Sequence, residues 1–183
     1  MKVNEVLDAK GLACPMPIVR TKKAMTELEP GHVLEIQATD RGSIADLEAW
    51  SENMGHQYLG YKEDGDVLYH YVRKSTDSED KPEEKHDQVV SNEDLKGKLN
   101  DEITVLDVRE PAEYEFGHIP GAVSVPLGEI DEKADEIEKN KDVYVICRTG
   151  SRSDMAAQKL AEKGYNAFNV TPGMKDWNGD VEK

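Results

Sequence analysis

Short runs rich in apolar residues mark strands in the first part of the chain. Such runs predict strands at 3–7, at 33–36 after the turn Pro30-Gly31, and at 67–72. The turn Asp64-Gly65-Asp66 precedes the last run, which indicates a hairpin.

Between these strands the apolar spacing changes to that of helices. One helix is predicted around 18–28 and a second around 44–50, with Ser43 as its N-cap candidate and Gly55 after its end. The order β-α-β-α-β-β predicts an α+β two-layer sandwich, with two helices on one face of a four-stranded sheet.

From residue 88 onward strands and helices alternate more regularly. Strands are predicted at 103–108, 122–125, 143–146 and 166–170, and a helix from about 151 to 163. Short strands that are apolar at nearly every position are typical of a parallel sheet covered on both faces. We therefore predict an α/β fold whose functional site lies beyond the carboxyl ends of the strands.

A polar stretch separates the two halves. Residues 75–87 hold many charges, one proline and no aliphatic side chain, which is typical of a solvated linker. The predicted organisation is a first domain at 1–74, an acidic linker at 75–87 and a second domain at 88–183.

Charge and composition exclude several functions. A net charge of −15 argues against nucleic-acid binding through a basic surface. No apolar run approaches the roughly 20 residues of a membrane span, and the start of the chain does not resemble a signal peptide, so no membrane partner and a cytoplasmic location are expected. Two cysteines and five scattered histidines have no metal-ligand spacing, so no metal is expected.

Cys147 follows the predicted strand 143–146 and opens a loop that leads into a helix. Successive backbone N–H groups at residues 149–152 and the positive helix end would favour an anionic sulfur, and Arg148 and Arg152 add positive charge. We therefore expect Cys147 to be an exposed nucleophile. The alternative is a cysteine that merely completes the core at a strand end.

Phosphate-ester cleavage and sulfur transfer both use such a loop. A phosphatase requires Cys-x5-Arg, whereas this chain has Cys-x4-Arg and a serine at position 153. Residues 88–183 resemble the single-domain rhodaneses at Asp107-Val108-Arg109-Glu110, at Gly117-His118-Ile119-Pro120-Gly121-Ala122, in the 147–152 loop, and at Gly173 and Trp177.

This resemblance implies that Cys147 accepts a sulfane sulfur as a persulfide, which the main-chain N–H groups hold. The turn at 171–174, Thr-Pro-Gly-Met, departs from the paired glycines usual in the family.

Further candidates surround this loop. Asp107 and Arg109 end another buried strand, where a charge needs a partner, so we expect an ion pair that supports the site. A direct part in the chemistry is the alternative. His118 is expected to be structural. The substrate-binding candidates are Arg148, Thr149, Gly150, Ser151, Arg109 and Asp107, beside the catalytic candidates Cys147, Cys14 and Arg152.

Cys14 begins a Cys-Pro-x-Pro segment. Proline is favoured at the first position of a helix, so the thiol is predicted at the positive helix end, where its pKa is lowered. Lys22 and Lys23 follow one to two turns on. The alternative is a small apolar substitute for an N-cap, although cysteine is a poor cap.

Residues 1–74 resemble the small TusA-like sulfur carriers. The matching positions are Leu7-Asp8, Gly11, Cys14-Pro15-Met16-Pro17, Gly31, Asp40 and Gly55. The resemblance implies that Cys14 carries a persulfide between protein partners without a cofactor. Ala13 replaces an arginine often found before that cysteine, so the resemblance does not identify the protein to which this domain docks.

Together these features predict a sulfur carrier joined to a rhodanese-type sulfurtransferase. Its partners would be a small sulfane-sulfur donor, such as thiosulfate or a low-molecular-weight persulfide, and an acceptor thiol or sulfur-relay protein, with a second copy of the chain in a homodimer as an alternative. Two other functions stay open: a thiol–disulfide redox protein that joins Cys14 to Cys147, and a non-catalytic adaptor that binds persulfidated proteins.

Overall fold

The computed structural model describes residues 1–75 and 85–183. The chain divides into two compact units, Met1–Thr76 and Asp77–Lys183. Most of the predicted linker 75–87 lies outside the described residues, so the domain boundaries drawn from the sequence stay predictions.

The first unit has the predicted order β-α-β-α-β-β. Its elements are β1 Glu5–Ala9, α1 Met16–Glu27, β2 Val33–Ala38, α2 Ser43–Asn53, β3 Gln57–Asp64 and β4 Val67–Arg73. The strands lie in the order β1-β2-β4-β3, with β1 parallel to β2 and the other pairs antiparallel. The predicted α+β sandwich is therefore confirmed.

One hydrophobic core joins the sheet to both helices. Met25 of α1 and Leu47 of α2 are buried against Leu34, Ile36 and Val72 of the sheet. Both helices therefore cover the same face, and the carboxyl ends of the parallel strands β1 and β2 lie side by side.

Two local predictions for this unit were wrong in detail. β1 extends to Ala9 rather than ending at residue 7, because the fully buried Ala9 continues the pairing with β2. Ser43 is the first helical residue and Gly42 is the N-cap, since the buried Ser43 hydroxyl lies 2.9 Å from His70 Nε2. Gly55 lies just after α2 with a φ of 76°, where a helix end favours glycine.

The second unit is an α/β domain with a five-stranded parallel sheet. Its elements are β5 Val89–Ser91, α3 Asn92–Lys98, β6 Ile103–Asp107, α4 Pro111–Phe116, β7 Val123–Ser124, α5 Ile130–Lys133, β8 Asp142–Ile146, α6 Ser151–Glu162 and β9 Ala167–Thr171. The strands lie in the order β5-β9-β8-β6-β7, and each neighbouring pair is parallel. This confirms the predicted fold class.

Strand β8 shows why the sheet needs cover on both faces. Val143 and Val145 pack into one core, whereas Tyr144 and Ile146 pack into another. A strand that is buried on both faces has apolar residues at nearly every position, and this run allowed β8 to be predicted from the sequence.

No helix in the two described ranges is long and apolar enough to span a membrane.

Candidate functional site

The loop that carries Cys147 lies at the carboxyl edge of the parallel sheet. It follows β8, which lies between β6 and β9, so the ends of all three strands surround it. The turn after β9 crosses the loop: Met174 N–H donates to the Cys147 carbonyl at 2.8 Å, and Lys175 N–H donates to the Arg148 carbonyl at 3.0 Å. The backbone of the loop is thus fixed from the side of β9.

The Cys147 thiol points inward. Its side chain is 0% exposed, so the exposed nucleophile expected from the sequence is wrong on this point. Gly150 N–H donates to Sγ at 3.1 Å, and Ser153 Oγ lies 3.3 Å from it. Gly150 has a φ of 98°, a left-handed conformation that glycine adopts without strain and that folds the loop over the sulfur.

A polar network continues beneath the sulfur. The buried Asn169 of β9 accepts the Ser153 hydroxyl at 2.6 Å and donates from Nδ2 to the Gly150 carbonyl at 3.2 Å. Because the Ser153 proton points to Asn169, the Ser153 oxygen accepts from the Cys147 S–H in this arrangement.

Arg152 makes a contact that the sequence did not predict. Its guanidinium forms two hydrogen bonds to the Glu113 carboxylate of α4, at 2.7 and 3.2 Å. The Glu113 side chain is 0% exposed and also accepts the Glu110 N–H at 3.1 Å. Arg152 therefore joins the first turn of α6 to α4, instead of standing as a separate cation beside the sulfur.

The other predicted loop residues lie nearer the surface. Arg148, Thr149 and Ser151 are half-buried. Within the described ranges, the Arg148 guanidinium forms no hydrogen bond or ion pair. It is therefore a cation of this loop that an anionic ligand can engage.

Asp107 and Arg109 form the predicted ion pair. Arg109 Nη2 lies 2.7 Å from Asp107 Oδ2, and both side chains are buried. The same nitrogen donates to the Gly117 carbonyl at 2.8 Å. This pair joins the end of β6 to the segment after α4 and supports the edge of the sheet.

His118, expected to be structural, contacts neighbouring residues through both its ring face and its ring nitrogens. Its ring stacks on Tyr114 at 3.7 Å between centroids, and its nitrogens lie 2.8 Å from the Tyr114 carbonyl and 3.2 Å from Glu182 Oε1. Across residues 1–75 and 85–183, no three histidine, cysteine or acidic side chains are grouped as a metal site.

Sequence analysis missed Glu113, Ser153 and Asn169. Two of them had a local signal. Glu113 stands three residues after Glu110 in a capping box, and Asn169 interrupts an apolar strand where a polar side chain needs a partner.

Cys14 of the first unit is exposed and precedes α1, whose N-cap is Pro15. Its N–H donates to Asp40 Oδ2 at 3.0 Å, and its Sγ donates to Asp46 Oδ2 at 3.2 Å. The Asp46 hydrogen bond, partial desolvation and the charges of Asp46 and Asp40 raise the pKa of the Cys14 thiol. The predicted lowering of this pKa is therefore wrong, because two nearby carboxylates outweigh the helix end.

Fold and geometry define a protein with two thiol sites, one in a backbone loop at the edge of a parallel sheet and one ahead of a helix in an α+β sandwich. Proteins that use cysteine in group transfer have thiol sites of this kind.

Comparison with known proteins agrees with this class. The model of the family described as Sulfurtransferase TusA matches residues 5–74, and that of the Rhodanese-like domain matches residues 91–180. The provisionally named sulfur carrier protein YrkF of Bacillus subtilis strain 168 is 49% identical over 190 residues, which cover 100% of both chains. The chain therefore belongs to the family of sulfur carrier proteins that join a TusA domain to a rhodanese-like domain.

Other relatives match the two units separately. The provisionally named sulfur carrier protein YrkI of the same organism is 60% identical over 74 residues, covering 40% of this chain and 99% of YrkI. A rhodanese-related protein from Thermoplasma volcanium matches with a TM-score of 0.50 and 35% identity, covering 52% of this chain and 97% of that one.

Proposed function

We propose that this chain is a sulfurtransferase that takes sulfane sulfur from a small donor at Cys147 and passes it, through Cys14, to an acceptor thiol or protein. The observation that carries the proposal is the Gly150 N–H on Cys147 Sγ, at the amino end of α6. A backbone N–H aimed at a sulfur stabilises negative charge there, both on a thiolate and on the persulfide formed from it.

In the first step the Cys147 thiolate attacks the outer sulfur of the donor. With thiosulfate, a new S–S bond forms at Cys147, the S–S bond of thiosulfate breaks, and sulfite leaves with the electron pair. The product is a Cys147 persulfide, and no external oxidant or reductant is consumed.

In the second step an acceptor thiolate attacks the outer sulfur of the persulfide. The Cys147 thiolate is the leaving group, so the catalyst is regenerated. Cys14 is the proposed acceptor within the chain, and the cytoplasm, which keeps thiols reduced, is the proposed compartment.

The surroundings of Cys147 favour a small anionic donor. The thiol is buried, so the loop must move to admit the donor, and a large molecule would require a larger movement. Arg148 supplies a half-buried cation that can bind a sulfonate or carboxylate. Thr149, Gly150 and Ser151 would line the donor site, and Asp107 with Arg109 would support it.

Thiosulfate:cyanide sulfurtransferase activity tests this proposal. Cys147→Ser should abolish thiocyanate formation, because the attacking sulfur is lost, whereas Cys14→Ser should retain it, because cyanide accepts directly from Cys147. Loss of activity in the Cys14 variant with retention in the Cys147 variant would overturn the assignment. Intact-mass measurement distinguishes sulfur transfer from thiol–disulfide redox chemistry. A persulfide adds the mass of one sulfur, whereas a disulfide between the two cysteines removes two hydrogens.

A further inference from the structure

Two carboxylates from different parts of the first unit stand at Cys14. We propose that Asp46 and Asp40 select the sulfur donor of Cys14 by charge: they admit a persulfide that carries an ammonium or guanidinium group beside the sulfur and exclude small anionic donors. This inference rests on the proposed function and adds a division of labour between the two cysteines.

The geometry puts negative charge on the approach to the sulfur. Asp46, in the first turn of α2, accepts from Cys14 Sγ at 3.2 Å. Asp40, in the loop after β2, accepts from the Cys14 N–H at 3.0 Å and from the Gly42 N–H at 3.0 Å. The Asp40 carboxylate is therefore fixed by two backbone donors, and the Asp46 carboxylate contacts the reacting atom itself.

Two cations close in the chain to this site lie near other carboxylates. Arg41, next to Asp40 in the chain, is directed to Glu63 at 2.6 Å, and Lys10 lies 3.9 Å from Asp8. The raised pKa of Cys14 agrees with a surrounding field that is negative. A thiosulfate or carboxylate-bearing donor would meet repulsion from both aspartates, whereas a cation would pair with them.

Sulfur transfer to Cys14 follows the same chemistry as at Cys147. The Cys14 thiolate attacks the outer sulfur of the donor persulfide, the donor S–S bond breaks, and the donor thiolate leaves with the electron pair. The proton that Cys14 loses to solvent is balanced by the one that the leaving thiolate takes up. A donor-side cation, such as the half-buried Arg148 that follows Cys147 in the chain, would neutralise the two carboxylates during this step.

The test measures the charge preference of Cys14 alone, in the full-length Cys147→Ser chain. Two methanethiosulfonates serve as probes, one with a trimethylammonium group and one with a sulfonate. Each transfers its thioalkyl group to the thiolate and releases methanesulfinate. Each rate is divided by the rate of the same reagent with 2-mercaptoethanol, and the ratio of the two normalised rates is independent of how much thiolate is present.

The normalised ratio should favour the cationic reagent by about 10-fold, the size expected for charges a few ångströms apart near a protein surface. Asp46→Asn should reduce the preference, and Asp46→Asn with Asp40→Asn should bring the ratio close to one. Glu5→Gln, at the far end of β1, removes one negative charge away from the site and should leave the ratio unchanged.

A ratio near one with both aspartates present, or a ratio that does not respond to Asp46→Asn, would overturn the inference. A purely structural role of Asp46 would change both rates by the same factor and leave the ratio intact. Either result would leave the proposed relay standing, because transfer of labelled sulfur to Cys14 is measured separately.

Discussion

Arg152 and Glu113 form a buried ion pair that fastens the Cys147 loop to α4, so the effect of Arg152→Ala is first a matter of stability. Removal of the guanidinium takes two hydrogen bonds and a positive charge away from the fully buried Glu113 carboxylate. We expect the free energy of unfolding to fall by about 3 kcal/mol, the scale for breaking one side of a buried pair. Urea unfolding measures this change.

A second substitution tests the cause of that loss. Adding Glu113→Gln to Arg152→Ala removes the buried charge but keeps an acceptor for the Glu110 N–H, so part of the lost stability should return. The control is Lys159→Ala, because Lys159 lies on the same helix as Arg152 but forms an exposed pair with Asp131 of α5. This substitution should leave the free energy of unfolding unchanged within error. Additive losses from the two substitutions at the buried pair would contradict this explanation.

His70 makes the first unit sensitive to acid. Its ring lies between Ser43 and Tyr58, at 2.9 and 2.8 Å, and burial lowers its pKa from 6.5 to about 4. Between these pH values the unfolded chain binds more protons, so the free energy of unfolding should fall by about 2 kcal/mol as the pH drops from 6.5 to 4.

Tryptophan fluorescence can report this effect from one unit. In a Trp177→Phe background Trp50 is the single tryptophan and reports on the first unit. His70→Gln keeps hydrogen-bonding groups between Ser43 and Tyr58 but does not titrate, so its stability should vary less with pH. The same slope in both proteins would show that another group is responsible.

At the scale of elements, the turn after β9 determines the shape of the Cys147 loop. Gly173 has a φ of 100°, and a Cβ there would lie 2.6 Å from the Cys147 carbonyl oxygen and 2.8 Å from that of Arg148. Gly173→Ala should therefore lower the free energy of unfolding of the second unit by about 1–3 kcal/mol. It should also lower the thiosulfate:cyanide activity, because the turn can no longer pack on the loop.

The control for this turn is Gly97→Ala in α3. A Cβ at Gly97 would meet no atom of a neighbouring element within 4 Å, and the residue lies inside a helix, so alanine should stabilise the unit by about 0.5–1 kcal/mol. The two variants should therefore shift the thermal unfolding temperature in opposite directions, and Gly97→Ala should leave the activity unchanged. Full activity and stability in Gly173→Ala would contradict the proposed role of the turn.

Elements with a clear apolar pattern were predictable from the sequence, whereas α4 was not. The 12 residues of α6 carry enough positions to fix a helical period, and the continuous apolar run of β8 is typical of a buried strand. The six-residue α4 does not, and the signal it does carry is its capping box. Sequence analysis did not find it.

In the candidate sites, features formed by residues close in sequence were predictable, whereas contacts between distant residues were not. The loop around Cys147 is local in sequence, so its glycine and its helix start could be anticipated. The Glu113–Arg152 pair joins residues 39 apart, and the cover over Cys147 includes the turn after β9. At Cys14 the helix end was visible in the sequence, whereas the carboxylate that contacts the sulfur comes from residue 46, 32 positions later. Contacts across such separations depend on the folded topology.

For the whole molecule, the structure gives the two thiols different surroundings. Cys147 is buried under a backbone N–H and is followed in the chain by the half-buried Arg148, whereas Cys14 is exposed and faces carboxylates. These differences fit an order in which a small anion charges Cys147 and the persulfide then charges Cys14. Because both thiols belong to one chain, transfer within a molecule would not depend on protein concentration.

The most direct test of this relay loads Cys147 with isotopically labelled sulfane sulfur and follows the label by peptide mass spectrometry. The loaded protein is freed of donor and diluted in series, with Cys14→Ser as the control. The account predicts that label appears on Cys14 at a rate independent of protein concentration. A rate that rises with concentration would show transfer between molecules, and no label on Cys14 without an added partner would contradict a direct relay.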